Sequence, residues 1–199
     1  MNRQTHYPSY DVMNEKDEWD DHTQSIVTSR LIRKSDYQFL TLEETELLKR
    51  ICSRLMDDDR EEVISFVISH IDQTLSAGIG EGQRKVGIPK SQILIREGLR
   101  SLEETATKRY LFGFTQLNAD QQKQLIREIS EKKTAQGLEW EAIMPADFFK
   151  KLMDLTVESY CSHPLVWSEM GYGGPAYPRG YVRTQMGQLD PWEAQPENE

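Results

Sequence analysis

Four histidines and several groups of carboxylates are the side chains of this sequence that could support chemistry. One candidate metal site combines His70 with Asp72, and another combines His22 with Asp20 and Asp21. Imidazole and carboxylate both ligate metal ions, but neither set has the one-turn spacing of a His-Glu-x-x-His pattern, and no Cys-x-x-Cys pair accompanies them. We interpret these histidines, together with His6 and His163, as surface or capping residues, and keep a free-standing metal-dependent enzyme as the alternative.

The two cysteines do not form a recognisable reactive site. Cys52 falls on the apolar face of a predicted helix, where a buried free thiol is common, and Cys161 is far away in sequence. Two isolated cysteines indicate neither a zinc site nor a disulfide framework, and they favour a reduced, intracellular setting, although a bridge between them stays open. There is no Gly-x-Ser-x-Gly elbow, haem-attachment motif or nucleotide fingerprint. We therefore predict no catalytic, cofactor-binding or metal-binding residues in this chain.

Two further segments resemble ligand loops only superficially. The glycine-rich segment 78–89 follows no predicted strand and fits neither the dinucleotide nor the P-loop spacing, so we predict a connector between helices. The run Asp57-Asp58-Asp59 lacks the later ligands and the turn glycine of a calcium loop. We interpret it as a helix break, after which Asp59 and Glu62 cap the next helix.

The elements that would position these groups are all predicted to be helical. Thr41 and Glu44 form a capping box at the start of the first strong helix, and Asn118 with Gln121 begins another. A further helix is predicted over residues 91–107, and Pro145 opens a last one that His163-Pro164 ends. Apolar residues recur at helical spacing, and no sustained alternation indicates a strand. The inward positions include Leu48, Ile51, Val63, Val67, Ile71, Ile95, Leu99, Leu102, Leu125, Ile129, Phe148 and Leu152.

Composition excludes some classes of function. The formal net charge is −9 over 199 residues, which disfavours binding to a phosphate backbone. The densest basic spots, at residues 30–34 and 131–133, are short, and we interpret them as solvated helix ends. No apolar run approaches the length of a membrane span, and the N-terminus has neither a secretory pattern nor a twin-arginine pair. We therefore expect no nucleic-acid partner, no direct membrane span and a cytoplasmic location.

The chain divides by composition into three parts. Residues 1–36 form an acidic arm, predicted to be extended, whose aromatic residues Tyr7, Tyr10 and Trp19 suggest packing either on its own domain or on a partner. Residues 37–183 form one helical domain that closes with a Gly/Pro/aromatic loop, which begins around Trp167. Residues 184–199 form an acidic tail that we expect to fray apart from Trp192.

The Gly/Pro/aromatic loop is the best candidate for recognition of another protein. Its glycines and prolines predict a shaped backbone that is not regular helix. Tyrosine, tryptophan and arginine often anchor protein interfaces, because they supply a large, rigid surface with a polar tip. The alternative is that the loop only covers its own helices. The candidate partner contacts are Trp167, Tyr172, Tyr177, Arg179 and Tyr181.

The opening and closing residues of the helical domain resemble those of a known family. The segment Asp36-Tyr37-Gln38-Phe39-Leu40-Thr41-Leu42-Glu43-Glu44 is similar to the start of gluconate 2-dehydrogenase small-subunit (subunit 3) proteins. So is the stretch from Phe148-Phe149 to Tyr160, followed by His163-Pro164-Leu165-Val166-Trp167-Ser168-Glu169-Met170-Gly171-Tyr172-Gly173-Gly174-Pro175. The resemblance covers roughly residues 36–183, and the Gly-Tyr-Gly-Gly-Pro run is its most specific part.

The resemblance implies an accessory role in a membrane-associated dehydrogenase. In such a complex a large FAD-containing subunit oxidises a sugar acid or sugar alcohol, and a cytochrome subunit often takes the electrons. The small subunit stabilises the flavoprotein or helps it to mature or to be exported, and the family assigns it no catalytic residues. Many members carry a twin-arginine export signal, which this sequence lacks, so a complex in the cytoplasm or on the inner face of the membrane is the expectation. A binding protein that has lost its dehydrogenase partner is a further alternative.

Overall fold

The computed structural model of the chain describes residues 5–32, 36–78, 80–131 and 140–197. Within these ranges every regular element is a helix and there is no strand, so the predicted all-α class is confirmed. None of the described helices is both long and apolar enough to cross a membrane. Residues 33–34 and 132–133 of the two basic spots, and residue 79 of the glycine-rich segment, lie outside the described residues.

The chain forms two units that do not follow the order of the sequence. One, which we call the helical unit, is Lys34–Ser159; the other, which we call the terminal unit, joins Met1–Arg33 to Tyr160–Glu199. This division differs from the three consecutive parts expected from composition. The arm, the Gly/Pro/aromatic loop and the tail belong to one unit because they pack on one another, as described below.

The helical unit is built around its first helix. The first helix packs against the next three helices of the unit. The predicted capping box of Thr41 with Glu44 begins the first helix, and that of Asn118 with Gln121 begins the fourth. The predicted inward positions are buried, which removes one apolar stripe of each helix from water. In chain order the helices of this unit are α2 (Leu42–Met56), α3 (Glu61–Ala77), α4 (Ser91–Tyr110), α5 (Ala119–Ser130) and α6 (Pro145–Tyr160), with short 3-10 helices at Glu81–Gln83 and Phe114–Gln116.

The predicted cap of α3 is wrong. Arg60 occupies the N-cap of α3 without a side-chain cap hydrogen bond, and Asp59 is exposed. The buried carboxylate of Asp58 instead accepts the Arg60 backbone N–H at 3.0 Å and pairs with the Arg60 guanidinium at 2.7 Å. Three consecutive aspartates offer the same cap chemistry, and the left-handed backbone at Asp57 (φ 48°) decides which of them turns inward.

The glycine-rich segment connects α3 to α4, as predicted. Gly78 ends α3 in the left-handed conformation, with φ 61°. The Glu81 carboxylate then accepts the backbone N–H of Ser91, at the first residue of α4, at 2.9 Å, and pairs with Arg84 at 3.1 Å. The carboxylate therefore satisfies a helix N-terminus that a phosphate-binding loop would leave open for its ligand.

The arm of the terminal unit is helical and not extended. A 3-10 helix covers Val12–Glu18, and α1 covers Asp21–Ser29. The side chain of Asp11 accepts the Met13 N–H at the start of the first, and that of Asp20 accepts the Thr23 N–H at the start of the second. Two of the aspartates that make the arm acidic are therefore helix caps.

A second correction concerns the residues after α6. His163-Pro164 separates two helices, because His163 is the N-cap and Pro164 the first residue of α7 (Pro164–Met170). Trp167 and Met170 therefore lie in a helix and not in the irregular loop. Trp167 forms a small apolar core with Val12, Trp19 and Val27, so the arm packs on its own chain.

The tail is also more fixed than the sequence suggests. Asp190 and Ala194 are buried, and the backbone N–H of Glu197 donates to the carbonyl oxygen of His6 at 3.0 Å. The expectation that only Trp192 is held is therefore wrong. Both cysteines are free thiols, which answers the question of a bridge between them in this structure.

Candidate partner-binding surface of the terminal unit

Three glycines of the Gly-Tyr-Gly-Gly-Pro run each make room for an aromatic ring. A Cβ atom on Gly171 would lie 2.5 Å from Tyr7 Cε2, and one on Gly174 would lie 2.5 Å from Trp19 Cζ2. A Cβ atom on Gly173 would lie 2.7 Å from Trp192 Cδ1. These separations are shorter than carbon atoms can approach without displacement, so the run is a glycine cradle for rings of the arm and the tail. Gly171 and Gly174 also have positive φ angles, of 71° and 77°.

Hydrogen bonds fix the arm to α7 and to the tail. Thr5 Oγ1 donates to the Glu169 carbonyl oxygen at 2.7 Å, and the Val12 N–H donates to Ser168 Oγ at 3.0 Å. The Tyr10 hydroxyl donates to the Trp192 carbonyl oxygen at 2.8 Å. Burial, together with the nearby Glu15 carboxylate, raises the pKa of Tyr10 to about 12, so this donor keeps its proton at neutral pH.

Trp167 supports the surface from inside. Its side chain is only 5% exposed, and its Nε1–H donates to the Cys161 carbonyl oxygen at 2.6 Å. The Tyr172 ring meets it edge to face, with the ring centroids 5.4 Å apart at 83°. Trp167 thus packs beneath Tyr172. Its own side chain is buried and does not form part of the exposed surface, which a direct contact with a partner would require.

Arg179 is partly buried between two tryptophans. Its Cζ lies 4.4 Å from the centroid of the Trp192 ring and 6.0 Å from that of Trp19, and its Nη2 donates to the Gly173 carbonyl oxygen. Burial lowers its pKa, and the negative charge of Glu15 opposes that shift. Arg179 therefore ties the loop to the arm and the tail by cation–π contacts.

The three tyrosines of the candidate set are exposed. Tyr172, Tyr177 and Tyr181 are 42%, 67% and 63% exposed, respectively, and we call them the tyrosine surface. Burial raises the pKa of Tyr172, and the Tyr181 phenol adds to that rise. The structure thus places three exposed aromatic rings on one segment of the chain, and the glycine cradle anchors the start of that segment.

A residue that sequence reasoning missed holds Tyr181 in place. Asp190 has no solvent exposure, and its Oδ1 accepts the backbone N–H groups of Val182 at 2.7 Å and Arg183 at 2.8 Å. The Arg183 guanidinium approaches Asp190 at 3.9 Å and Glu193 at 3.6 Å. Asp190 lies between Leu189 and Pro191 in the middle of the acidic tail, and this local sequence does not indicate which backbone N–H groups its carboxylate accepts.

Comparison with known proteins places the chain in a family. A sequence profile of the family described as Gluconate 2-dehydrogenase subunit 3 matches residues 42–174. The chain belongs to this family. The suspected resemblance is therefore confirmed. Comparisons with curated proteins and with solved structures returned no match.

The matched range of this subunit 3 family member ends at the last glycine of the cradle. It contains Gly171, Gly173 and Gly174, whereas the rings that occupy the cradle come from residues 7, 19 and 192, which lie outside it. In this chain the family motif and its aromatic occupants are thus contributed by separate parts of the sequence.

The other groups with possible chemistry are engaged elsewhere in this subunit 3 protein. Burial raises the pKa of Cys52 to about 12, although a contact of its Sγ with Thr156 Oγ1 at 3.5 Å opposes the rise, so the thiol is a poor nucleophile. His70 Nδ1 lies 2.9 Å from the hydroxyl of Ser159, which is buried. Asp72 is buried and accepts three backbone N–H groups, from Gln38, Phe39 and Leu40 at 2.8 to 2.9 Å.

A carboxylate of each candidate metal site takes part in backbone hydrogen bonds. The Asp72 oxygens that could join His70 are occupied by backbone donors, and Asp20, which could join His22, caps α1. In the part of the chain that the structure describes, no three histidine, cysteine, aspartate or glutamate side chains lie close enough together to hold a metal ion.

Proposed function

We propose that this chain is a non-catalytic accessory subunit that binds and stabilises the FAD-dependent large subunit of a gluconate 2-dehydrogenase-like complex. The observation that carries the proposal is the family match over residues 42–174. The match ends within the segment that carries the three exposed tyrosines. The partner would oxidise a sugar acid or sugar alcohol and would hold the flavin itself, and a cytochrome subunit would accept the electrons in a three-part complex.

The rigidity of the tyrosine surface supports binding. Ordering a flexible loop on association costs about 0.5–1.5 kcal/mol for each immobilised side chain, in addition to the cost of the backbone. In this chain the cradle glycines, Arg179 and Asp190 already hold the backbone that carries Tyr172, Tyr177 and Tyr181. A partner would therefore gain rigid aromatic surface at low entropic cost, which is the property of interface hot spots.

We propose a cytoplasmic location for the chain, on the inner face of the membrane when it is bound to its partners. The exposed free thiol of Cys161 supports a reducing compartment. Cell fractionation with an antibody against the chain tests this, and recovery of the folded chain from a periplasmic or extracellular fraction would contradict it.

Co-expression tests the accessory role. The chain is tagged and produced with an FAD-dependent dehydrogenase encoded beside its gene, and the captured material is assayed for flavin absorbance and for dye reduction with gluconate. We expect a yellow complex whose dehydrogenase loses activity or solubility when the chain is omitted. A colourless chain, recovered alone beside a fully active dehydrogenase, would refute the proposal.

Variants of the tyrosine surface localise the contact. The double variant Tyr172→Ala/Tyr177→Ala is expected to weaken capture by roughly 10-fold or more, because truncating an aromatic hot spot typically costs about 2 kcal/mol. Phe112→Ala is the matched control, since Phe112 is similarly exposed, at 59%, but lies in the helical unit. Equal loss in both variants would show that binding is not concentrated at the tyrosine surface.

A further inference from the structure

Arg30 lies beside the tyrosine surface and has unusual surroundings for a charged residue. It is the C-cap of α1 and is partly buried. Its Nη1 donates to the Ser162 carbonyl oxygen at 2.9 Å, and its Cζ lies 5.2 Å from the centroid of the Trp167 ring. Tyr172 packs on the same indole ring, so Arg30 and Tyr172 share Trp167 as a support.

The charge of Arg30 is not balanced by a carboxylate within the described ranges. Several other arginines of the described chain do have acidic partners, such as Arg60 with Asp58 at 2.7 Å and Arg109 with Glu128 at 2.6 Å. Burial lowers the pKa of Arg30, opposed by the Tyr172 phenol, yet a guanidinium stays charged at neutral pH. A partly desolvated cation without an anion is costly, and it is notable in a chain with 33 acidic residues.

The guanidinium also keeps donors for a ligand. It has five N–H groups in a planar fork, and the structure uses one of its nitrogens in a hydrogen bond to the backbone. A carboxylate is the group that matches the remaining fork, by two parallel charge-assisted hydrogen bonds. Arginine, tryptophan and tyrosine together are also the residue types that dominate interface energies.

We propose that Arg30, held over Trp167 next to Tyr172, receives an aspartate or glutamate side chain of the flavoprotein subunit. This inference rests on the proposed function and names the chemistry of the partner at its interface. Sequence reasoning treated residues 30–34 as a solvated helix end, because neither the ring beneath Arg30 nor the missing counter-charge is visible from local pattern. Arg30 therefore joins Tyr172 as a contact residue, with Trp167 as the residue that positions both.

The test measures the affinity of the full chain for the FAD-loaded dehydrogenase at about 50 mM and about 300 mM NaCl. We expect Arg30→Gln to weaken binding roughly 10- to 100-fold at low salt and to reduce the salt dependence, because the long-range attraction of one partly exposed interfacial ion pair, which salt screens, is lost. Arg30→Lys keeps the charge but loses the planar fork, so an intermediate affinity with the salt dependence retained is expected. Arg100→Gln is the control, since Arg100 is exposed and already paired with Glu97 at 2.6 Å.

Distinct outcomes separate this inference from the proposed function. If the wild-type chain does not bind the dehydrogenase, both fail. If it binds and Arg30→Gln binds equally well with the same salt dependence, only the role of Arg30 fails. Circular dichroism and thermal unfolding check that each variant is folded, and an unfolded Arg30→Gln leaves Arg30→Lys to decide by its affinity. If Arg30→Gln changed self-association in sedimentation experiments but not dehydrogenase binding, the carboxylate would belong to a second copy of this chain, which would overturn the inference.

Discussion

The indole ring of Trp19 occupies the space where a side chain at Gly174 would begin. A Cβ atom on Gly174 would lie 2.5 Å from Trp19 Cζ2 and 3.3 Å from Val12 Cγ2. The arm and the family motif are separated by more than a hundred residues of sequence, yet the absence of one methyl group lets them pack. The stability of the terminal unit should therefore depend sharply on this position.

Gly174→Ala is expected to lower the free energy of unfolding of the terminal unit by about 2–4 kcal/mol. About 1 kcal/mol comes from alanine at positive φ, and the rest from overpacking against Trp19. Urea unfolding followed by tryptophan fluorescence measures it. Gly180→Ala is the matched control, because Gly180 has a similar φ of 72° but no atom within 4 Å of its Cβ position. Equal losses in both variants would mean that the ring contact contributes nothing.

Asp190→Ala is expected to free the segment that carries Tyr181. The N–H groups of Val182 and Arg183 would lose their acceptor, at a cost of about 1–3 kcal/mol. Hydrogen exchange should accelerate at these two amides, and trypsin should cleave faster after Arg183. The control is Gln188→Ala, which removes only an exposed acceptor of the Thr184 N–H. Unchanged exchange in Asp190→Ala would contradict the clamp.

Glu44→Gln is expected to show a pH-dependent loss of stability in the helical unit. Burial alone would raise the pKa of Glu44, but hydrogen bonds from Arg96 and Thr41 and the Arg96 charge outweigh it and lower the pKa. A carboxylate with a lowered folded-state pKa stabilises the fold above its unfolded pKa, about 4.3, and this stabilisation is lost as pH falls through the folded value.

The measurement is the difference in unfolding free energy between wild type and Glu44→Gln at pH 7 and near pH 3. We expect about 1 kcal/mol at pH 7, since a charge-assisted pair is removed while the amide can still cap α2. Near pH 3 the difference should be smaller. Glu43→Gln, at the exposed neighbouring position, should show little effect at either pH. A difference that stays constant with pH would rule out the ionic contribution.

The two cysteines should react very differently with a thiol reagent such as Ellman's reagent. Cys161 is exposed, whereas Cys52 is buried with a pKa of about 12. At pH 8 the folded chain should therefore release about one equivalent of chromophore, and unfolding in urea should release the second. In Cys161→Ser the folded chain should release almost none. Rapid reaction of that variant would show that Cys52 is reachable in the folded protein.

Features with local causes could be predicted from the sequence. The capping boxes at Thr41 and Asn118 depend on residues three positions apart, and the buried stripes depend on a helical period. Residues within one or two helical turns therefore specify both features. The same holds for Pro145 at the start of α6 and for Gly78 at the end of α3. The all-α class and the family motif follow from such short-range patterns.

The errors arose where one local pattern allows several structures. Asp57, Asp58 and Asp59 have the same side chain, and only the folded backbone turns Asp58 inward to pair with Arg60. Likewise, an acidic segment with scattered aromatics suits packing either on its own domain or on a partner. The shared core of Trp19 and Trp167 decided for packing on its own chain, because burying these rings stabilises the fold by more than ordering the short helices costs.

The sequence by itself determined the helical class, the two helix starts with capping boxes, the family and the choice of tyrosines as candidate contacts. Only the tertiary structure decided that Trp167 and Arg179 act from inside the surface, that Asp190 clamps it and that Arg30 stands beside it without a counter-charge. These roles depend on pairs of residues far apart in the chain, such as Gly173 with Trp192 and Arg30 with Trp167. The local pattern does not specify which distant ring packs against a glycine or which charge lacks a partner, because both depend on the tertiary packing of residues that are distant in sequence.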